Sequence, residues 1–326
     1  MKVVFYEAFI EERNLLEEML LADWNVRFYG ETIQEVAEEC QPVDVVSIRT
    51  QSIVPCSWAS TIRGVLSRST GFDHLTNFQK RCANRGAKVI PCGYLDEYST
   101  KAVAEHAIIM LLCLMRKFPQ QMRQFMVFDR DHLTGIESAG KNLLVFGIGR
   151  IGSEICRIAK SFGFEVKGVD IVHNNSEVAY VPQEIGIPWA DAIVCAMDLN
   201  ESNLGYFSYD RLKNLTRGCF LVNVARGEMT PLADLKRLLD ERLLLGLGLD
   251  VFENESDLAV SLRNNGLHSD GSCDVLAQLI DYPNVILTPH NAFNSREALR
   301  RKAQLSVEQL ITFSKHGSFS PSCIIT

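Results

Sequence analysis

Three features are missing from this sequence: a paired cysteine motif, a long hydrophobic run and a block of basic residues. No Cys-x-x-Cys pair occurs in the 326 residues, and no cysteine belongs to a cluster with histidine. This arrangement excludes the common zinc sites and predicts reduced thiols, several of which act as small hydrophobic side chains. We therefore predict no metal site. The cysteines are Cys40, Cys56, Cys82, Cys92, Cys113, Cys156, Cys195, Cys219, Cys273 and Cys323.

The absence of a long hydrophobic run argues against a membrane protein. The longest apolar run, AIIMLLCLM at 107–115, is about half the length that a bilayer-spanning helix needs, and it predicts a buried helix instead. The N-terminal MKVVFYEAF is too short and too quickly polar for a signal peptide. We therefore expect a cytoplasmic protein that does not contact a membrane.

The charge balance argues against a nucleic-acid partner. The formal net charge is −7, and phosphate neutralisation requires clustered lysine and arginine. The basic run RLKNLTR at 211–217 is interpreted as the solvated end of a helix. A chain of 326 residues with 47% hydrophobic residues can instead bury the cores of about two domains.

Strand-like and helix-like runs alternate along almost the whole sequence. KVVFY is followed by the amphipathic EERNLLEEMLL, and NVRFY is followed by TIQEVAEEC and then by DVVSI. This alternation predicts βα units and parallel sheets. A complete βαβ unit begins again at 141–170, where LLVF and FEVKGVD flank a run with helical spacing that Gly163 ends. We predict a nucleotide-type domain from about residue 141 and a separate α/β domain in the first hundred residues.

The turn GIGRIG predicts a dinucleotide site, because it follows a strand and opens a helix. Gly147 allows the tight turn, Gly149 allows close approach to a pyrophosphate, and Gly152 allows the helix to pack on the strand. Asp170 follows the last glycine by eighteen residues and would accept hydrogen bonds from a ribose diol. A 2′-phosphate would be repelled there, which favours NAD over NADP, although His173 lies nearby. The alternatives are a chance glycine turn and a solvent-facing aspartate.

Titratable side chains follow the carboxyl ends of three predicted strands. Arg226 follows FLVN, Glu255 and Asp250 follow GLGL, and His290 follows VIL. Ligands bind at this edge of an open parallel sheet. Each residue alone is weak evidence, because a single strand-end arginine or histidine is often structural.

Together, the three residues predict hydride-transfer chemistry on a carbonyl acid. Arg226 can hold a carboxylate with two hydrogen bonds and polarise the adjacent carbonyl. His290 can give or take the proton on the substrate oxygen, and a carboxylate such as Glu255 against its ring would favour the protonated form. NADH would supply the hydride.

At this point the sequence resembles the D-isomer-specific 2-hydroxyacid dehydrogenases, and most closely their D-lactate dehydrogenase-like branch. The resemblance rests on STGFDHL, YSTKAVAEHAIIMLL, the glycine turn, NVARGEMT, LDVFENE and TPHNAF, and it covers nearly the whole chain. It implies that Arg226, Glu255 and His290 are catalytic. It also implies two doubly wound α/β domains, a Rossmann NAD-binding domain and a flavodoxin-like substrate domain, with a cleft between them.

The resemblance also implies further site residues, domain boundaries and a dimer. The N–H groups of Thr70 and Gly71 would hold the substrate carboxylate, and Tyr98 and Phe293 would border the substrate side chain or serve as core. Residues 1–100 and 288–326 would form the substrate domain and 101–287 the NAD-binding domain. The helix near Lys101 would contribute to a homodimer. The predicted cofactor-binding residues are Gly147, Gly149, Arg150, Ile151, Gly152, Asp170, Ala225 and Asp250.

The sequence departs from the family pattern in two places. Asp198 stands in CAMDLN where the family has a proline, and residues 171–189 are shortened, so both segments put the cofactor affinity in question. The acidic doublets Asp96-Glu97 and Glu253-Glu255 are interpreted as a loop surface and as a catalytic carboxylate with its neighbour, not as metal ligands.

The leading hypothesis is an NAD-dependent enzyme that reversibly reduces a small 2-oxo acid to a D-2-hydroxy acid such as D-lactate. One alternative is an NADH-sensing, corepressor-like interaction protein of the same fold. Another is a family member with a different substrate, such as a phosphorylated hydroxy acid, for which Arg49 and Arg68 could supply extra positive charge.

Overall fold

The computed structural model describes residues 1–36, 43–215, 218–264 and 274–325, and it divides into two compact units. The N-terminal unit consists of residues 1–99 and 294–326, and the central unit consists of residues 100–293. Each unit has its own parallel β-sheet and its own hydrophobic core.

The bounds of the elements follow in chain order. The strands are β1 Lys2–Phe5, β2 Asn25–Phe28, β3 Val45–Ile48, β4 Gly64–Ser67, β5 Cys92–Gly93, β6 Asn142–Phe146, β7 Glu165–Val169, β8 Ala179–Tyr180, β9 Ala192–Cys195, β10 Cys219–Asn223, β11 Leu244–Leu249 and β12 Val285–Leu287. The helices are α1 Ile10–Met19, α2 Asp73–Asn84, α3 Thr100–Met115, α4 Phe118–Gln124, α5 Arg150–Ser161, α6 Gln183–Trp189, α7 Tyr209–Leu212, α8 Leu232–Asp240, α9 Glu255–Asn264, α10 Asp274–Ile280 and α11 Arg296–His316.

The sheet of the N-terminal unit has the strand order β2-β1-β3-β4-β5, and all its pairs are parallel. This is the flavodoxin-like order, as predicted. All four residues of β3 and of β4 are buried, which is typical of a parallel sheet covered on both faces. The chain returns to this unit at its end, where Ile324 forms an antiparallel bridge with Gly93.

The sheet of the central unit has the strand order β12-β11-β10-β9-β6-β7-β8, and all its pairs are parallel. The order reverses between β6 and β9, and ligands bind at such a switch point. The predicted βαβ unit is confirmed as β6-α5-β7, and Gly163 adopts a left-handed φ of +80° just after α5. Because the strands are parallel, the residues after β6, β7, β10, β11 and β12 lie at one edge of the sheet.

The apolar run 107–115 is confirmed as part of a helix packed on this sheet. In α3, Ala107, Ile108, Leu111 and Leu114 are buried, and the helix contacts α5, β10 and β11. No helix in the described segments has the length and apolar character needed to cross a bilayer.

Two sequence-based expectations concern segments that the structure describes only in part. In TIQEVAEEC, residues 33–35 form a turn instead of a helix, and the rest from residue 37 lies outside the described residues. The eight described cysteines form no disulfide, whereas Cys40 and Cys273 lie outside the described residues. The last two residues of the basic run 211–217 lie outside them as well.

Residues 288–293 group with the central unit, although we predicted a boundary at residue 288. The reason is local hydrogen bonding, because the N–H of Thr288 donates to the carbonyl of Leu249 and the N–H of His290 donates to that of Asp250. The assignment of substrate and cofactor roles to the two units remains a prediction.

Candidate active site

The glycine turn between β6 and α5 packs closely against neighbouring backbone at Gly147 and Gly152, and it is accessible at Gly149. A Cβ on Gly147, whose φ is +83°, would lie 2.7 Å from the backbones of Ala196 and Met197. A Cβ on Gly152 would lie 1.8 Å from the carbonyl oxygen of Gly147, so only glycine fits at these two positions. A Cβ on Gly149 would meet nothing within 4 Å, so a ligand can approach the backbone there.

The first turn of α5 offers hydrogen-bond donors to an anion. The helix begins without a side-chain cap, and within the described part of the chain the N–H groups of Gly149, Ile151 and Gly152 donate to no protein acceptor. The N-terminus of a helix also carries a partial positive charge. Donors and field together fit a pyrophosphate, which is the group that NAD would present to this turn.

Asp170, at the end of β7, connects this turn to the next loop. Its carboxylate accepts the N–H of Ile148 at 2.5 Å and that of Val172 at 2.9 Å. Each carboxylate oxygen can accept a second hydrogen bond, so the group can still bind a ribose diol. The ring of His173 stacks on Tyr180 with a centroid separation of 4.1 Å, so this histidine already has a protein partner.

The buried Asn223, at the end of β10, shapes the turn that carries Arg226. Its side-chain oxygen accepts the N–H of Ala225 at 2.9 Å, and its amide nitrogen donates to the carbonyl of Arg226 at 2.8 Å and to the hydroxyl of Thr230 at 2.9 Å. The half-buried Arg226 donates from Nη1 to the carbonyl of Ala225 at 2.8 Å. This network, which sequence reasoning missed, holds the arginine just beyond the sheet.

Close backbone contact brings the Arg226 turn against the segment after β11. A Cβ on Gly227 would lie 1.8 Å from the carbonyl carbon of Phe252 and 2.4 Å from the nitrogen of Glu253. Burial raises the pKa of Glu253, the other carboxylate of the predicted acidic doublet. Within the described residues, no group of three or more histidine, cysteine or acidic side chains is arranged to hold a metal ion.

His290 and Glu255 are in direct side-chain contact within the predicted site. The ring Nδ1 lies 2.6 Å from Glu255 Oε1, and each side chain is 18% exposed. Because an ionised carboxylate only accepts, Nδ1 carries a hydrogen and Nε2 is the nitrogen that can exchange a proton with a ligand. His290 has a left-handed φ of +49°, held by the donation of its N–H to the carbonyls of Asp250 and Thr288.

Asp250 is buried below this loop and binds it with its carboxylate. The side chain accepts the hydroxyl of Thr288 at 2.6 Å, the N–H of Asn291 at 2.8 Å and the N–H of Ala292 at 2.9 Å. Nε2 of His106, on α3, lies 3.2 Å from the Thr288 hydroxyl. In this structure Asp250 therefore orients the His290 loop, and its predicted contact with nicotinamide remains a prediction.

The predicted carboxylate-binding loop follows β4 in the N-terminal unit. Thr70 and Gly71 are half-buried, and their N–H groups donate to no acceptor within the described residues. Tyr98 and Phe293 are 4% and 6% exposed, and both remain candidates for a core role as well as for a substrate contact.

Arg68 does not serve the function considered for a phosphorylated substrate. It is fully buried, and it donates to the carboxylate of Glu12 at 2.8 Å, to the carbonyl of Tyr6 at 2.7 Å and to the hydroxyl of Ser47 at 3.0 Å. A guanidinium held in this way is a structural group of the N-terminal unit.

The two departures from the family pattern lie near the glycine turn and next to Asp170. Asp198 is exposed and its carbonyl accepts the side chain of Asn203 at 2.7 Å, which fixes the backbone of the segment. The shortened region 171–189 contains β8 and α6, so it retains a strand beside β7. Neither segment disrupts the glycine turn.

Comparison with known proteins identifies the family of this chain. The family profile described as D-isomer specific 2-hydroxyacid dehydrogenase, NAD binding domain, matches residues 107–292. The chain belongs to the D-isomer specific 2-hydroxyacid dehydrogenase family. The predictions of an NAD-dependent 2-hydroxyacid dehydrogenase, of NAD as cofactor and of the D-lactate dehydrogenase-like branch are confirmed.

Individual relatives are similar to this dehydrogenase in sequence and in structure over most of its length. A D-lactate dehydrogenase of Streptococcus agalactiae is 27% identical over 88% of this chain and 87% of its own. A D-lactate dehydrogenase of Escherichia coli strain K12 is 30% identical over 74% of this chain and 73% of its own. The crystal structure of D-lactate dehydrogenase from Aquifex aeolicus complexed with NAD and lactic acid has a TM-score of 0.84 at 25% identity and covers 97% of this chain and 96% of its own.

Proposed function

We propose that this dehydrogenase reversibly reduces a small 2-oxo acid to a D-2-hydroxy acid, with D-lactate or a close analogue as the product. The observation that carries the proposal is the 2.6 Å contact between His290 and Glu255, which leaves one ring nitrogen free of that carboxylate at the edge of the sheet where ligands bind. The names of the D-lactate dehydrogenase relatives support the substrate class.

In this proposal, the chain holds its cofactor at the end of the central sheet. The pyrophosphate of NAD would lie on the free N–H groups of Gly149 and Ile151, and Asp170 would accept the ribose hydroxyls. Arg150, Gly147, Gly152, Ala225 and Asp250 complete the proposed cofactor site. When bound, the cofactor supplies or takes up the hydride.

The chain's own residues then bind the acid and move one proton. Arg226 holds the substrate carboxylate and polarises the neighbouring carbonyl. His290 donates a proton from Nε2 to the carbonyl oxygen during reduction and takes it back during oxidation, while Glu255 stabilises the positive ring. We further propose that the N–H groups of Thr70 and Gly71 bind the substrate carboxylate.

Two observations bear on the substrate side chain: the residues proposed to contact it and the burial of Arg68. We propose that Tyr98 and Phe293 contact the substrate side chain, which favours a short apolar group over a phosphate. The burial of Arg68 against Glu12 removes one of the two arginines that a phosphorylated hydroxy acid would use.

We also propose a cytoplasmic homodimer. The segment 118–128 carries six exposed apolar side chains whose exposure ranges from 50% to 86%, and exposed apolar patches mark protein contacts. They are Phe118, Met122, Phe125, Met126, Val127 and Phe128. A second copy of the chain would cover them. The eight described thiols without a disulfide agree with a reducing compartment.

The test is NADH oxidation by the purified protein with glyoxylate, pyruvate, hydroxypyruvate, phenylpyruvate and 2-oxoisocaproate, with NADPH as the cofactor control. We expect turnover with at least one small acid, NADH preferred over NADPH, and a D-configured product by chiral chromatography. Tight NADH binding without turnover of any acid would contradict the proposal and favour the NADH-sensing alternative.

A further inference from the structure

Three polar side chains around the proposed carboxylate-binding loop form one continuous chain of hydrogen bonds. Nε2 of His74 lies 2.8 Å from the hydroxyl of Ser67, and this hydroxyl lies 2.6 Å from that of Ser69. The Ser69 hydroxyl lies 2.8 Å from the carbonyl oxygen of Gly71. Ser67 is fully buried and Ser69 is 7% exposed, so water competes little for these contacts.

The chemistry of the four groups allows only one direction of donation. The carbonyl of Gly71 can only accept, so the single hydroxyl hydrogen of Ser69 points to it. Ser69 must then accept from Ser67, which uses the hydrogen of Ser67. The remaining contact therefore requires a hydrogen on Nε2 of His74, and this is present in both the imidazolium and the Nε2–H tautomer.

The chain of hydrogen bonds connects the two residues on either side of Thr70. It connects the start of the loop, at Ser69, to the carbonyl at its end, at Gly71, while the N–H groups of Thr70 and Gly71 are left without protein acceptors in the described structure. The residue before the loop, Arg68, is immobilised by Glu12. The two N–H donors are thus held in one arrangement before any ligand binds, which reduces the entropy cost of binding.

We propose that Ser67, Ser69 and His74 are positioning residues, which hold the N–H groups of Thr70 and Gly71 for the carboxylate shared by all substrates of the enzyme. The proposal rests on the proposed function, because it assumes that this loop binds that carboxylate. Its consequence is specific: weakening the chain of hydrogen bonds raises KM for every 2-oxo acid by a similar factor and leaves kcat and the NADH affinity unchanged. A pocket for the substrate side chain would instead affect the acids unequally.

The first test is the kinetics of Ser69→Ala, Ser67→Ala and the double variant. We expect Ser69→Ala to raise KM about fivefold to tenfold, which corresponds to the loss of about one hydrogen bond. The double variant should differ little from Ser69→Ala, because both changes break the same chain. Thermal unfolding midpoints and NADH titrations of each variant serve as controls for folding.

The second test uses His74, at the other end of this series of hydrogen bonds, where a matched pair of variants is possible. His74→Gln keeps an N–H donor for Ser67 and should retain the wild-type KM. His74→Leu removes the donor and should raise KM. This pair decides the question if Ser69→Ala does not fold. Wild-type KM in the folded Ser69→Ala and His74→Leu variants of an active enzyme would overturn this inference alone, and a wild-type protein inactive on every acid would overturn the proposed function with it.

Discussion

At the scale of single residues, the central feature is a histidine whose ring is oriented by one neighbouring carboxylate. Glu255 accepts from Nδ1 of His290, and the backbone of the loop is held by Asp250, so the ring has a fixed orientation. An imidazole held in this way by a carboxylate at Nδ1 presents Nε2 for proton exchange with a ligand. Arg226 has the complementary property, because a guanidinium keeps its charge at every relevant pH.

Replacing His290 by alanine should lower kcat by about 10²- to 10⁴-fold, the usual contribution of a general acid or base. The NADH dissociation constant should stay close to that of the wild type, because the glycine turn is unchanged. Stopped-flow kinetics and fluorescence titration measure the two quantities. A loss of only a few-fold in kcat would argue against His290 as the proton donor.

Replacing Arg226 by alanine should raise KM for the 2-oxo acid about 10- to 100-fold, because hydrogen bonds to a charged group contribute about 1.5–3 kcal/mol. Arg226→Lys keeps the charge but not the two-pronged geometry, so it should fall between alanine and the wild type. Steady-state kinetics at saturating NADH measure the effect. Unchanged kinetics in Arg226→Ala would refute the assigned role.

At the scale of elements, the turns that follow parallel strands place the residues of the proposed site at one edge of the sheet. β10, β11 and β12 are neighbours in the sheet, so the segments that carry Arg226, Glu255 and His290 leave it at the same edge. Gly227 allows the first of these turns to lie directly against the second, at Phe252. Because the two turns are in direct backbone contact, a shift in one would displace the other.

Replacing Gly227 by alanine should therefore lower both stability and activity. A Cβ there would overlap the carbonyl carbon of Phe252, and relieving such an overlap by backbone shifts costs about 1–3 kcal/mol. Gly30→Ala is the matched control, because a Cβ on Gly30 meets nothing within 4 Å, and we expect its effect to stay within about 0.5 kcal/mol. Denaturant unfolding monitored by circular dichroism compares the two, and equal stabilities would contradict this packing argument.

At the scale of the whole molecule, a buried ionic cluster connects distant parts of the sequence. Glu12 on α1 accepts from Arg68 at 2.8 Å and forms an ion pair with Lys302 on α11 at 2.7 Å, and all three side chains have no exposed surface. Burial raises the pKa of Glu12, but the charges of Arg68 and Lys302 outweigh it and bring the value from its ordinary 4.5 down to about 2. Burial lowers the pKa of Lys302 well below its ordinary value. The cluster fastens the C-terminal helix to the N-terminal segment.

The stability of the protein should therefore fall in acid through Glu12. Because the carboxyl has a lower pKa in the folded than in the unfolded state, its contribution is complete above about pH 4.5 and is lost as the pH falls towards about 2. Glu12→Gln should be less stable than the wild type at pH 7, because it leaves Arg68 buried beside a neutral partner. The difference in unfolding free energy between the two proteins should shrink between pH 4.5 and 2. A difference that is independent of pH in this range would contradict the role of Glu12.

Much of this architecture could be read from local sequence patterns. The alternation of short apolar runs with amphipathic ones predicted parallel sheets, and GIGRIG followed by Asp170 predicted the dinucleotide turn, because both signals depend on residues that are close in the chain. Arg226, Glu255 and His290 were selected for a similar reason, since each stands a few residues after the end of a strand-like run. The helix expected in TIQEVAEEC was wrong at residues 33–35, where a turn forms.

Only the tertiary structure decided which polar side chains meet. Arg68 was a candidate for a substrate phosphate, yet it is buried against Glu12, 56 residues earlier in the chain. The roles of Asn223 in the Arg226 turn and of Asp250 below the His290 loop could not be inferred either, because their partners depend on hydrogen bonds formed after the chain folds. Sequence by itself determines periodicity and the residue types at strand ends, whereas hydrogen-bond partners and burial depend on contacts between segments that are far apart in the chain.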